Sequence, residues 1–267
     1  MGAIFRYTLR QNMQAIWQWG GGLGALGLML MLIVTDMDVI TGYADLLDAM
    51  PEEMLGFFGL SSTEMITSPD GFIAFGFFAY ALMILGVYAV AVGLDVVANE
   101  EDAGVLDVLL SLPVSRTRMI VQRIAAYVVI TALLVVFSFG GLLVGSVLSD
   151  MEYNMGRLFI GTLNIIPGTL VMIALTVFFS VLFRRRKTAL SVSAAIIIFS
   201  YFINFLAESA SNAVLDMVNR FSLFAYYDSQ RVVREGLVWG DVAILLVVAA
   251  LLFGASAWLF NRRDVGL

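Results

Sequence analysis

Polar and apolar positions alternate on a long scale in this chain. Six runs carry no charged residue: Gln11–Thr35, Gly71–Leu94, Ile124–Ser149, Leu158–Phe183, Thr188–Ala207 and Val242–Asn261. Each is 20 to 26 residues long. A helix rising about 1.5 Å per residue crosses about 30 Å of hydrocarbon with about 20 apolar residues. The pattern therefore predicts an all-α polytopic membrane protein with six transmembrane helices, at about 19–36, 71–97, 119–149, 158–183, 188–207 and 241–261. Residues 1–267 form a single transmembrane unit, because the segments between the runs are too short for a separate soluble domain.

Composition sharpens this picture. The chain is 61% hydrophobic and 13% charged, about half the charge of an average soluble protein. It contains no cysteine, which removes disulfides, thiolate chemistry and Cys-based metal sites, and no histidine, the commonest general base. No catalytic, cofactor or metal site is expected. A net charge of −6 argues against nucleic acid as a partner.

Lysine and arginine favour the cytoplasmic side of a membrane. With both termini inside, the cytoplasmic segments hold Arg6, Arg10, Arg116, Arg118, Arg123, Arg184, Arg185, Arg186, Lys187, Arg262 and Arg263; the outer segments hold only Arg157, Arg220, Arg231 and Arg234. Eleven against four sets the orientation. The first outer segment, Asp36–Asp70, has eight carboxylates and no basic residue, and reads as a cation-attracting vestibule or as a solvated acidic loop. Within it, Met54–Thr63 is apolar but too short to span, as interfacial or re-entrant segments are.

Ahead of the first run, Ile4, Phe5, Leu9, Met13, Ile16 and Trp17 recur at helical spacing among arginines and glutamines. This predicts an amphipathic in-plane helix over Ile4–Trp19, with Trp17 and Trp19 at headgroup level; the alternative is a plain extension of the first span. Gly20 and Gly24 match the small-residue spacing that lets membrane helices approach closely, as do Gly141 and Gly145. They are candidates for a subunit interface or for internal packing. Asn164, Pro167 and Thr169 interrupt the fourth run, and Asn204 lies near the end of the fifth. These polar or kinking residues would line a pathway or join helices by hydrogen bonds. Between the last two runs, Glu208–Asp241 has apolar and aromatic stretches too short to span, consistent with short helices dipping into the outer interface.

The most informative polar segment is Asp95–Arg123, DVVANEEDAGVLDVLLSLPVSRTRMIVQR. Glu100, Glu101 and Asp102 suit a helix N-terminus. Gly104 marks a bend, and Leu106, Leu109 and their neighbours form an apolar patch beside Asp107. Pro113 stops that element, Ser115 caps the next helix, and Arg116 anchors it at the inner leaflet. An apolar patch presented to the cytoplasm beside acidic groups is a docking surface.

The run NEEDAGVLDVLLSLPVSRTRMI resembles the cytoplasmic coupling segment of type-2 ABC transporter permeases. LFAYYDSQRVVREGLVWGD, followed by a span and FNRRDVGL, resembles their C-terminal end. The nearest likeness is to small exporter subunits of the sodium-efflux, multidrug and antimicrobial-peptide-resistance kind. The resemblance implies a cytoplasmic coupling helix between spans 2 and 3, with Glu100, Glu101, Gly104, Leu106, Asp107, Leu109, Pro113, Ser115 and Arg116 as the ATPase-coupling element. It also implies short re-entrant external helices between spans 5 and 6, cytoplasmic ABC ATPase subunits and a second permease subunit (identical or homologous) as partners, and the plasma membrane of a prokaryote as location. ATP and Mg would be held by the partner, because the sole lysine, Lys187, follows three arginines and no phosphate-loop motif exists. The competing readings are an integral-membrane enzyme and an ATP-independent carrier. Against the enzyme stands the absence of a paired acidic motif such as D-x-x-D at an inner span end, apart from the ANEED entry; against the carrier stand the near-absence of ionisable residues within the spans and the docking helix.

Overall fold

The computed structural model describes residues 2–34, 37–50, 67–102, 104, 115–183, 185–210 and 212–262. Helices dominate and no strand occurs among the described residues. Six are long and apolar enough to cross a membrane: Met13–Ile33, Pro69–Asp95, Arg116–Leu148, Met155–Leu182, Arg186–Ser209 and Trp239–Arg262, spans 1 to 6. Because their number is even, the start of span 1 and the end of span 6 lie at one end of the bundle, the terminal end; the other is the distal end.

Span 4 is the pillar. It packs against spans 2, 3, 5 and 6, and 72% of its most apolar stretch is buried against 17% for span 6. Its threonines do not call on other helices: Thr162, Thr169 and Thr176 donate to the carbonyls of Leu158, Ile165 and Met172 at 2.8, 2.9 and 2.9 Å. Hydroxyls satisfied on their own backbone leave an apolar exterior that neighbours pack against. The helix runs unbroken through buried Pro167.

Span 1 docks on span 3 through glycine. A Cβ at Gly141 would lie 2.0 Å from the Gly24 carbonyl oxygen, and one at Gly20 would lie 2.9 Å from the Leu134 carbonyl oxygen. Gly20 and Gly24 therefore face span 3 of their own chain, and the backbones approach closely because no side chain intervenes.

The N-terminal helix is shorter than the sequence pattern suggests. It covers Ala3–Gln11, stops at Asn12 (φ −101°, ψ 13°), and span 1 begins at Met13. Asn12 ends it by directing both its backbone N–H (3.1 Å) and its side-chain amide (3.0 Å) to the Thr8 carbonyl. Trp17 and Trp19 consequently belong to span 1, where Trp17 meets Phe137 edge-on at 4.7 Å. The apolar side of the helix, centred on Phe5, packs on span 3, and the Phe5 N–H donates to Gln122 at 3.3 Å.

Two short stretches are π-helical, Ile16–Gly20 in span 1 and Ala74–Phe78 in span 2. Part of the acidic outer segment is also helical. Met37–Asp48 buries Ile40, Ala44 and Leu47, a three-to-four spacing, and exposes its carboxylates. Met54–Thr63 lies outside the described residues. Between spans 5 and 6, Ala213–Asn219 and Ser229–Glu235 are helical, capped by the side chains of Asn212 and Asp228.

Candidate functional site at the terminal end of the bundle

Span 2 ends at Asp95, turns at Val96 and Val97, and resumes as a short helix, Ala98–Asp102. Val96 and Val97 are buried, so the turn is wedged into the bundle rather than free in solvent. A terminating helix leaves carbonyls without intrahelical partners. Here they are met by Arg123, two turns into span 3 and only 5% exposed. Its Nη1 donates to the Asp95 and Val96 carbonyls at 3.2 and 2.9 Å. Its Nη2 pairs with the Glu100 carboxylate.

The opposite side of the turn is held from span 5. Arg186 Nε donates to Asn99 Oδ1 at 2.5 Å, and the Asn99 amide donates to the Asp95 carboxylate. Span 4 contributes Ser180, whose hydroxyl accepts from the Ala98 N–H at 2.9 Å. The N-terminal helix closes the group, with the Asn12 amide 3.5 Å from the Tyr127 hydroxyl. Side chains from spans 3, 4 and 5 thus converge on one turn of span 2, and Asn12 closes the group through Tyr127. Between them lies a cavity of about 250 Å³ with a polar lining that includes Thr8, Asn12, Asp95, Glu100, Arg123 and Tyr127. Glu100 Oε2 and Arg123 Nε find no protein partner there. Two cations face two carboxylates, so the group is electrostatically balanced, as buried charge requires.

Of the residues singled out in sequence, Glu100 lies in this junction. Glu101 follows it in the same short helix, and its N–H donates to the Val97 carbonyl at 3.1 Å. Gly104 has φ +67°, a conformation that a side chain would strain. Ser115 caps span 3 by accepting from the Arg118 N–H at 3.3 Å, and Arg116 opens that helix. Leu106, Asp107, Leu109 and Pro113 lie outside the described residues. The Arg123–Glu100 pair therefore bridges the two flanks of segment 103–114. Asp95, Asn99, Arg123 and Arg186 were missed as site residues in sequence. The signal was available only for the first pair, one helical turn apart, and in the position of Arg123 directly before a charge-free run.

The remaining sequence candidates lie elsewhere. Asn164, Pro167 and Thr169 sit in the buried centre of span 4, where Asn164 Nδ2 has no protein partner. Asn204 donates to Glu208 at 2.9 Å near the distal end. None of them lines the apolar groove between spans 2 and 5. That groove, of about 610 Å³, runs between spans 2 and 5 along Met83, Val87, Val90, Leu190, Ile197 and Tyr201, with Arg186 at its terminal end.

At the distal end, the segment after span 5 is fastened to the bundle. Ser222 Oγ donates to the Ser200 carbonyl at 2.8 Å, and the Leu223 N–H to Ser200 Oγ at 2.7 Å. The Tyr227 hydroxyl donates at 2.8 Å to the Phe78 carbonyl, the last residue of the span 2 π-turn. Burial pushes this phenol well above its ordinary titration range.

Comparison with known proteins agrees with this architecture. No curated protein matches the chain. Residues 21–265 match a family model described as ABC-2 family transporter protein. The match takes in all six spans apart from the first residues of span 1, together with Asp95, Asn99, Glu100, Arg123 and Arg186 of the junction. The chain belongs to that family.

Proposed function

We propose that this ABC-2 family permease is the transmembrane subunit of an ATP-driven exporter, working by alternating access against a separate cytoplasmic ATPase. The observation that carries the reading is the junction at the base of segment 103–114. It joins both flanks of that segment to spans 2, 3, 4 and 5, so a force applied there has a direct route into the bundle. The segment's leucines beside Asp107 suit a protein partner. The sequence has no phosphate loop, so the nucleotide must be bound by another chain.

In this reading the terminal end faces the cytoplasm of a prokaryotic cell, as the arginine bias favours. Glu100, Glu101, Gly104, Leu106, Asp107, Leu109, Pro113, Ser115 and Arg116 form the coupling element, and the helices of 213–235 are the external, re-entrant part. A second permease subunit completes the pathway. The apolar groove between spans 2 and 5 favours a lipid-like or amphiphilic cargo over a small ion.

The test is co-isolation from native membranes followed by hydrolysis assays. A partner bearing a phosphate loop should co-purify. Replacing Asp107 and Leu109 together, D107K with L109E, should abolish stimulation of its ATPase activity by the permease while leaving membrane insertion intact. Full stimulation by that double variant, or cargo movement by the purified chain alone, refutes the assignment.

A further inference from the structure

We infer that Arg123 and Arg186 are positioning residues for coupling: together they clamp the turn at the end of span 2, so that spans 2, 3 and 5 move as one body when segment 103–114 is pushed. This rests on the exporter reading above.

The weak point of any such lever is the turn at Val96 and Val97, where the helix hydrogen bonds of span 2 stop. A break of this kind acts as a hinge and would absorb a push instead of transmitting it. Each arginine is placed to prevent that, because each ties the residues before the turn to those after it. Arg123 holds the Asp95 and Val96 carbonyls with one nitrogen and Glu100 with the other. Arg186 acts through Asn99, which lies beyond the turn and itself donates to Asp95 before it. The two arginines come from different helices and grip opposite sides of the same turn. Ser180 adds a third tie, to span 4, at Ala98.

The chemistry explains why arginine stands at position 123. A guanidinium is planar and presents donors in a fixed fork, so one side chain can meet three acceptors spread across a turn. A lysine ammonium is a compact point charge and could not bridge them in the same geometry. Burial of the group, at 5% exposure, is also unnecessary for a residue that only biases membrane orientation, which would reach toward the headgroups instead.

The chain has no native cysteine, so D102C with K187C, two exposed sites on either side of the junction, gives a single nitroxide pair per chain. Its distance distribution is measured by pulsed electron resonance in the complex with the co-purifying ATPase, first without nucleotide and then trapped with ATP and vanadate. With Arg123 and Arg186 intact, the distribution should be narrow and unchanged by trapping. In Arg123→Gln and in Arg186→Gln it should broaden and shift on trapping. Arg123→Lys, which keeps the charge but loses the fork, should broaden it as well, and both substitutions at position 123 should do so already without nucleotide. A purely structural role would lower yield or thermal midpoint and leave the trapped distribution as narrow as in the parent. Unchanged width in all three variants, or a parent pair that itself shifts on trapping, overturns the inference. Failure to find any ATPase would count against exporter function instead, and the clamp would still be decided by comparing Arg123→Lys with its parent in the isolated chain.

Discussion

Two adjacent glycines in span 3 should respond to the same substitution with opposite signs. A Cβ added at Gly140 meets nothing within 4 Å, whereas one at Gly141 lies 2.0 Å from the Gly24 carbonyl oxygen and 2.4 Å from its Cα. Backbone atoms cannot rotate away, so span 1 must retreat by roughly 1 Å or more to restore contact distance. That retreat also disturbs Gly20 on Leu134 and Met31 on Gly145, because all sit on the same helix face. Overpacking of this kind costs about 1–3 kcal/mol. Gly140→Ala gains about 1 kcal/mol from helix propensity alone. Both substitutions gain that propensity, so the two variants should differ by the overpacking cost alone, about 1–3 kcal/mol. At roughly 2–4 °C per kcal/mol for a chain of this size, thermal midpoints of the purified protein in one detergent should separate by several degrees, with Gly141→Ala below the parent and Gly140→Ala at or above it. Equal shifts, or a stabilised Gly141→Ala, would show that spans 1 and 3 do not meet through glycine.

Further outcomes follow from the capping and distal contacts. Tyr227→Phe removes the donor to the Phe78 carbonyl and should cost about 0.5–1.5 kcal/mol in thermal stability, the net worth of a buried hydrogen bond; Tyr226→Phe, whose bond to Arg220 is exposed, should cost distinctly less. Burial raises the Tyr227 pKa above the ordinary value of 10.0. Its contribution should therefore be complete below pH 10.0 and be lost progressively above it, and in alkaline melts Tyr227→Phe should flatten that decline. Ser115→Ala removes the cap of span 3 and should cost about 1 kcal/mol, read as a lower thermal midpoint with unchanged membrane insertion.

The spans were legible because charge is so costly in hydrocarbon that its absence over 20 or more residues leaves few alternatives. Their ends fell within three residues of the sequence-based bounds at spans 2 to 6. Span 1 was placed six residues late because apolar spacing continues smoothly across Asn12, and only the competition of its side chain for Thr8 reveals the break. The helix Met37–Asp48 was hidden by composition. Its carboxylates suggested a loop, while Ile40, Ala44 and Leu47 carried the helical repeat. The junction was least legible. Arg123 and Arg186 counted as orientation charges in sequence, and their grip on one turn depends on the packing of three helices. No local spacing encodes that.

The central position of span 4 sets a condition on biosynthesis. Span 2 buries 67% of its most apolar stretch, and much of that surface is covered by a helix not complete until Leu182. At about 5–20 residues per second, span 2 waits on the order of several seconds in the bilayer after Asp95 is made. Through that interval lipid or the insertion machinery must cover the face that span 4 will occupy. Spans 1 and 3 close their glycine contact earlier, which gives the nascent protein a stable pair on which the pillar is later set.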